Sequence, residues 1–186
     1  NVSKAAKTTG VYRAIFISSD KAVAPVNLYG STKHVAEKVW ISQRHSSRTK
    51  FSACRYGNVL GSRGSIYEIF SGKNGVLPIT DPSSTRFWWN INQASDFILG
   101  CVDIMQGGEI FVPKLKSCTL EDFMNALFPG RAYEVVGLRP GEKQHETLIS
   151  EWEKYTEFAD FYVIEGIGKY NRACTSNDSD KISKDE

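Results

Sequence analysis

The five residues Ala14-Ile15-Phe16-Ile17-Ser18 form a short apolar run of the kind that serves as a strand buried on both faces of a parallel sheet. The nine residues ahead of Gly10 read as the end of a helix that this glycine closes. After the run, a loop is broken by Pro25, and Tyr29 to about His45 carries Val35, Val39 and Trp40 at helical spacing. Phe51-Ser52-Ala53-Cys54-Arg55-Tyr56 is a second strand, ending in the turn Gly57 to Gly64. Helix, strand, helix, strand in this order predicts an α/β fold built on a parallel sheet.

Ile66–Phe70 reads as helical. Beyond residue 75 the pattern changes, and Val76–Pro82 reads as an extended arm. A helix is expected from about Asn92 to Met105, a strand at Glu109–Val112, a helix at Leu120–Leu127 and strands at Tyr133–Val136 and Phe161–Ile164. Three parts follow: residues 1–75 with the parallel sheet, 76–165 as a smaller lobe, and 166–186 as a tail. That tail is polar and almost devoid of apolar residues from Asn171 on, a composition that predicts disorder.

The 186 residues carry a formal net charge of +2, which gives no electrostatic footprint for nucleic acid or an anionic membrane. No apolar run approaches the roughly 20 residues that span a bilayer. Cys54, Cys101, Cys118 and Cys174 are scattered without metal or disulfide spacing, so they read as free thiols of a cytoplasmic protein. His34, His45 and His145 read as surface residues.

Chemistry concentrates in Tyr29-Gly30-Ser31-Thr32-Lys33, where a phenol and an amine share one helical face. An ammonium near a phenol favours the phenolate, which can then take a proton from a hydroxyl. Alone, the pair is an ordinary surface motif. It gains weight from Ser18-Ser19-Asp20-Lys21, which ends the first strand on the edge where open α/β sheets bind ligands. Ser19-Asp20 also suits a turn or cap. Gly57, Gly61 and Gly64 do not have the spacing of a dinucleotide fingerprint and read as a tight turn.

With these residues in view, the segment from Ser18 to Lys33 resembles the active-site stretch of the extended short-chain dehydrogenase/reductases. More narrowly, it is similar to the inverting UDP-N-acetylglucosamine 4,6-dehydratases of pseudaminic acid synthesis. The blocks Arg55–Ser65, Pro78–Asp81, Thr85–Trp88, Gly107–Lys114 and Arg139–Lys143 continue the likeness in order, over residues 1–164. Dehydratases of deoxythymidine-diphosphate-glucose carry Asp-Glu where this chain has Asp20-Lys21, and larger membrane-attached relatives carry Met at Tyr29.

The resemblance implies the C-terminal half of a Rossmann-type fold with NADP as cofactor, a UDP-sugar as substrate and a homo-oligomeric parent. Tyr29 and Lys33, with Val59, would meet the nicotinamide end of the cofactor. Tyr29 would take the C4 hydroxyl proton, Lys21 the C5 proton, and Asp20 would protonate the leaving C6 hydroxyl. Ser19 stands where the family has Thr. Asn58, Thr80, Arg139 and Glu142 would bind the nucleotide-sugar, although Asn58 equally suits a turn, and Arg86 suits packing better than ligand contact. Lys21 must be neutral to act as a base, and burial, Lys33 and the oxidised nicotinamide are expected to lower its pKa against Asp20.

Asn1 is not an initiator methionine, and the resemblance implies three preceding β-α units, about 90–100 residues, that would bind the cofactor pyrophosphate. On its own the chain is therefore expected to be inactive and to bind NADP poorly. Two other readings stand beside this one: a non-catalytic remnant or partner-binding fragment, and a nucleotide-sugar 4-epimerase or reductase.

Overall fold

Arg13–Ser19 (β1) lies parallel to Lys50–Tyr56 (β2) in an unbroken register from Arg13 opposite Lys50 to Ser19 opposite Tyr56. This pair starts the larger sheet of the computed structural model, which describes residues 1–46, 48–167 and 173–183. Ile110–Pro113 (β6) continues the sheet in parallel beside β2, and Phe161–Ile167 (β11) and Glu153–Glu157 (β10) complete it antiparallel, in the order β1-β2-β6-β11-β10.

Helices cover both faces of this sheet, as the α/β pattern predicts. Val2–Thr8 (α1) precedes β1, and Leu28–Ser42 (α2) packs on the face shown by Phe16, Phe51 and Ala53. Trp40 of α2 anchors that face: its indole donates to the Ser52 carbonyl at 3.0 Å, with its ring against Phe16 and Phe51. Ile91–Ile104 (α4) packs on the opposite face, where Cys101 and Met105 meet Cys54, Phe111 and Val163. Neighbouring residues Ala53 and Cys54 thus belong to different cores, the period-two alternation of a strand covered on both sides.

A smaller lobe carries the rest. Asn58–Leu60 (β3), Thr85–Asn90 (β5) and Ser117–Thr119 (β7) form one sheet, and Leu77–Ile79 (β4) pairs with Tyr133–Val135 (β8). Ile66–Ser71 (α3) and Leu120–Leu127 (α5) close its core, in which Trp88 stacks on Phe123 at 4.5 Å between ring centres. Thr147–Ile149 (β9) pairs with Cys174–Thr175 (β12).

Four expectations are corrected here. The strand β1 is not buried on both faces, because it lies at the sheet edge; Ile17 is 42% exposed and Ser18 alone of its residues is buried. Val35 and Val39 face outward, while the same helix buries Gly30 and Glu37. A division at residue 75 fails, since β6, β10 and β11 return from the later segment into the larger sheet. The tail is not without structure: β12 joins a sheet, Ser176 is fully buried and Ile182 packs on the smaller core. Hydrogen bonds rather than apolar area fix it, with Lys181 Nζ donating to Ser117 Oγ at 3.0 Å and to the Ser176 carbonyl at 2.8 Å. The remainder of the predicted tail, residues 168–172 and 184–186, falls outside the described residues.

Candidate active site

The chain leaves β1 at its carboxyl end and enters a single helical turn, Asp20–Ala22, which Ser19 caps by accepting a hydrogen bond from the Lys21 amide. This turn buries Asp20 and directs Lys21 into a recess, where 35% of the lysine side chain remains exposed. Ser19 Oγ donates to Asp20 Oδ1 at 2.7 Å, and Lys21 Nζ donates to the same oxygen at 2.9 Å. Lys21 Nζ also reaches Asn58 Oδ1 at 3.4 Å and Glu146 Oε1 at 3.5 Å. Three separate segments of sequence, the Ser19–Lys21 turn, Asn58 and Glu146, therefore converge on one amine.

The helix that carries Tyr29 is set against this turn by two close approaches. Asn27 caps α2, accepting from the Gly30 amide at 2.8 Å, and its own side-chain amide donates to the Gly141 carbonyl at 2.7 Å. A Cβ on Gly30 would come within 2.6 Å of the Lys21 carbonyl, so only glycine permits this packing. Tyr29 is 57% exposed at the mouth, with Lys33 Nζ 5.4 Å from its ring centre.

Two adjoining cavities lie outside the carboxyl ends of β1 and β2. The first, about 330 Å³, is lined by Lys21, Tyr29, Asn58, Lys143 and Glu146 among others; the second, about 470 Å³, by Val59, Thr80, Ile66 and Trp88. Asn58, Arg86, Arg139 and Glu142 border both. Thr80 Oγ1 donates to Glu142 Oε1 at 3.1 Å, and Arg86 Nη2 donates to the same oxygen at 3.1 Å. Arg86 is buried and also donates to the carbonyls of Thr85 and Gln144, so it braces the loop that carries Arg139 and Glu142.

All the residues singled out in the sequence thus gather at one end of the sheet, with Lys21, Tyr29, Asn58, Val59, Thr80, Arg139 and Glu142 at the cavity walls and Ser19 and Asp20 beneath Lys21. Lys33 lies behind Tyr29. Of the three histidines expected at the surface, His45 is exposed, but His34 and His145 are half-buried against the Ala22 carbonyl and Thr85 Oγ1.

The charge on Lys21 departs from expectation. Burial is the largest influence and lowers its pKa, as does Arg86, but the charges of Asp20 and Glu146 and the hydrogen bond to Asp20 outweigh them and hold it above the ordinary lysine value. Lys143, by contrast, is held below its ordinary value, because burial is only partly offset there by Glu146 and Asp20. Three participants escaped the sequence reading. Asn27 was legible as a helix cap three residues before Gly30. Lys143 and Glu146 belong to the loop that begins at Arg139, where no spacing rule marks which acid turns inward.

Residues 1–166 match the family described as polysaccharide biosynthesis protein. The chain belongs to that family. It is 40% identical over 173 residues to the inverting UDP-N-acetylglucosamine 4,6-dehydratase of Campylobacter jejuni, covering 88% of this chain and 52% of that protein. It is 35% identical to the UDP-glucose 4-epimerase of Rickettsia bellii over 91% of this chain and 53% of that one. The X-ray structure of Pen from Bacillus thuringiensis superposes with a TM-score of 0.89 at 32% identity, covering 99% of this chain and 63% of its own. The chain spans about half the length of the curated relatives it matches. Among the described residues no helix is long and apolar enough to cross a membrane.

Proposed function

We propose that this chain carries the substrate-binding and proton-transferring part of an enzyme that converts UDP-N-acetylglucosamine to a UDP-4-keto-6-deoxy sugar inverted at C5, using NADP in the cytoplasm. The observation that carries the reading is the Lys21 amine, held 2.9 Å from Asp20 at the floor of a cavity whose mouth bears Tyr29. Elimination of water across C5 and C6 needs a base for the C5 proton and an acid for the C6 oxygen. Lys21 and Asp20 supply both from adjacent positions.

Their hydrogen bond also answers how an amine that favours its charged form serves as a base. A charged lysine with a carboxylate, and a neutral lysine with a carboxylic acid, contain the same protons. Moving one proton across the Lys21–Asp20 hydrogen bond converts the resting pair into the pair that elimination requires, without exchange with water. Lys21 then accepts the C5 proton while Asp20 gives its proton to the departing C6 hydroxyl, and the ion pair is restored.

The exposed Tyr29 hydroxyl, Lys33 beside it and the apolar Val59 fit the nicotinamide end of a dinucleotide. When bound, NADP would supply the acceptor and donor of hydride. Tyr29 takes the proton of the C4 hydroxyl, with Lys33 Nζ 5.4 Å from its ring centre. Asn58, Thr80, Arg139 and Glu142 hold the nucleotide-sugar across the two cavities, where a guanidinium fork suits a diphosphate.

The test is to incubate the intact protein with UDP-N-acetylglucosamine in heavy water and follow the sugar protons by NMR. A 6-deoxy product with deuterium at C5 and inverted coupling is expected. The likeness to the Rickettsia epimerase favours a second reading, sugar 4-epimerisation, for which Lys21 has no task. A C4 epimer that keeps its C5 proton would establish that reading and remove the first.

A further inference from the structure

Buried carboxylates divide into two kinds in this fold. Glu37 and Glu153 are fully engaged: Glu37 accepts from Ser18 and twice from Arg55, and Glu153 accepts twice from Arg55 as well as from the amide and hydroxyl of Ser150. These acids brace elements of the scaffold. Glu146 is 5% exposed, yet its Oε2 has no hydrogen-bond partner among the described residues. A carboxylate kept for packing alone does not leave a buried acceptor empty, because the loss of solvation goes uncompensated. The one other carboxylate oxygen in this condition is Asp20 Oδ2. Each of these two acids turns its remaining oxygen to Lys21, at 2.9 Å from Asp20 Oδ1 and 3.5 Å from Glu146 Oε1.

Glu146 is also held to this place. Its backbone amide donates to Ser176 Oγ at 2.9 Å and its carbonyl accepts from the Ser176 amide at 2.8 Å. Lys143 Nζ lies 4.0 Å from Glu146 Oε2 but donates its short hydrogen bond elsewhere, to the Val23 carbonyl at 2.6 Å. The acid therefore stands between two lysines and completes the bonding of neither.

We propose that Glu146 is a positioning residue for Lys21, a second carboxylate that holds its ammonium at the cavity floor and sets how much of it is neutral before substrate arrives. The inference rests on the proposed dehydratase chemistry only for its consequence, since the pairing itself needs no substrate. The charged groups facing Lys21 are Asp20 from its own turn, Glu146 and Lys143 from the loop after Arg139, and Arg86 from β5. Glu146 opposes the two cations and acts with Asp20. Removing its charge therefore frees the amine, while removing Lys143 leaves Glu146 to Lys21 and makes the amine less available.

The experiment labels the intact protein with an amine-acylating reagent, without substrate, and quantifies acylated Lys21 by peptide mass spectrometry across a pH series. Glu146→Gln is expected to acylate Lys21 about tenfold faster at neutral pH, the scale at which one close buried charge acts. Lys143→Gln is expected to slow the same labelling, and this arm stands even where Glu146→Gln fails to fold. Labelling of Lys21 unchanged in the folded variants, within about twofold, would overturn the proposal, as would a shift in the same direction for both. A purely structural Glu146 would alter stability and leave this pH series in place. The dehydratase reading fails separately, by the absence of deuterium at C5.

Discussion

Arg55 clasps Glu37 with two hydrogen bonds, Nη2 to Oε1 at 2.6 Å and Nε to Oε2 at 3.0 Å, and neither side chain reaches solvent. The guanidinium also donates to both oxygens of Glu153 and to the Leu148 carbonyl. Glu37 lies one helical turn beyond Lys33, so this ion cluster fixes the helix that presents Tyr29 and Lys33 against β2 and β10.

Replacing Arg55 with Met should cost about 3–5 kcal/mol, because two carboxylates are left buried without their cation. The triple variant Glu37→Gln, Arg55→Met, Glu153→Gln should lose less than the single one. Urea unfolding of the variants at neutral pH checks the order. The cluster also dictates an acid limit. Burial alone would raise the pKa of Glu153, but the hydrogen bonds and charge of Arg55 prevail and hold it at about 2; Glu37 is held low for the same reason. A carboxylate with a depressed folded pKa contributes stability that is complete above the unfolded value. The contribution of Glu153 should therefore persist down to the ordinary glutamate range near 4.5 and disappear as pH falls toward 2. Unfolding midpoints that stay flat across that interval would contradict the assignment.

Ser176 makes a second prediction concrete. Its hydroxyl is shared by the Glu146 amide, Thr85 Oγ1 and the Thr85 carbonyl, at 2.9, 2.7 and 3.0 Å, and it is wholly buried. Ser176→Ala leaves the Glu146 amide without an acceptor and should cost about 1–3 kcal/mol. Hydrogen exchange at the Glu146 amide should accelerate while that of Phe111, in the larger sheet, stays protected. Equal protection of the Glu146 amide in both proteins would show that the tail does not hold the loop.

Gly30 tests the packing of the helix against the lysine turn. An alanine there would place its Cβ 2.6 Å from the Lys21 carbonyl and 3.0 Å from Pro25 Cβ, neither of which is a flexible side-chain end. Backbone must move, at about 1–3 kcal/mol, and the movement separates Lys21 from Tyr29. Gly30→Ala is expected to lower kcat more than it raises KM, and a variant with parental kinetics would argue that the two groups need no fixed separation.

What the sequence discloses about this site follows from range. The Tyr29-Lys33 spacing, the turn at Ser19-Asp20-Lys21 and the Asn27 cap are set within a few residues, so pattern alone locates them. Helical phase placed Val35 and Val39 on one face but did not say whether a neighbour covers it, and solvent does. Glu146 reads as one more acid in a charged loop; its place is set by Ser176 and Lys21, which meet it only after the chain has closed. The tail misled because its polarity argues against burial of apolar area, whereas Ser176 and Lys181 are fixed by hydrogen bonds to backbone and to Ser117. A boundary at residue 75 follows the change in local pattern, but strand pairing is non-local: β6 lies beside β2 of the earlier segment, and β11 pairs with β6 as well as with its neighbour β10.

Lys21→Ala and Tyr29→Phe separate the two halves of the proposed chemistry. Tyr29 sits at the cavity mouth, and if it serves the C4 hydroxyl as proposed, its loss should stop the reaction before any change in nicotinamide absorbance. Lys21 lies at the floor with Asp20, and its loss should leave oxidation at C4 possible while C5 keeps its proton. Each should reduce turnover by roughly 10²–10⁴-fold, the usual contribution of a general base. The informative measurement is therefore not turnover but the pair of partial readouts, single-turnover cofactor reduction and deuterium entry at C5. Lys21→Ala should retain the first and lose the second, and Tyr29→Phe should lose both. Deuterium entering C5 at the parental rate in Lys21→Ala would show that another group is the base, and Lys143, the lysine held below its ordinary value at the same cavity, would be the next residue to replace.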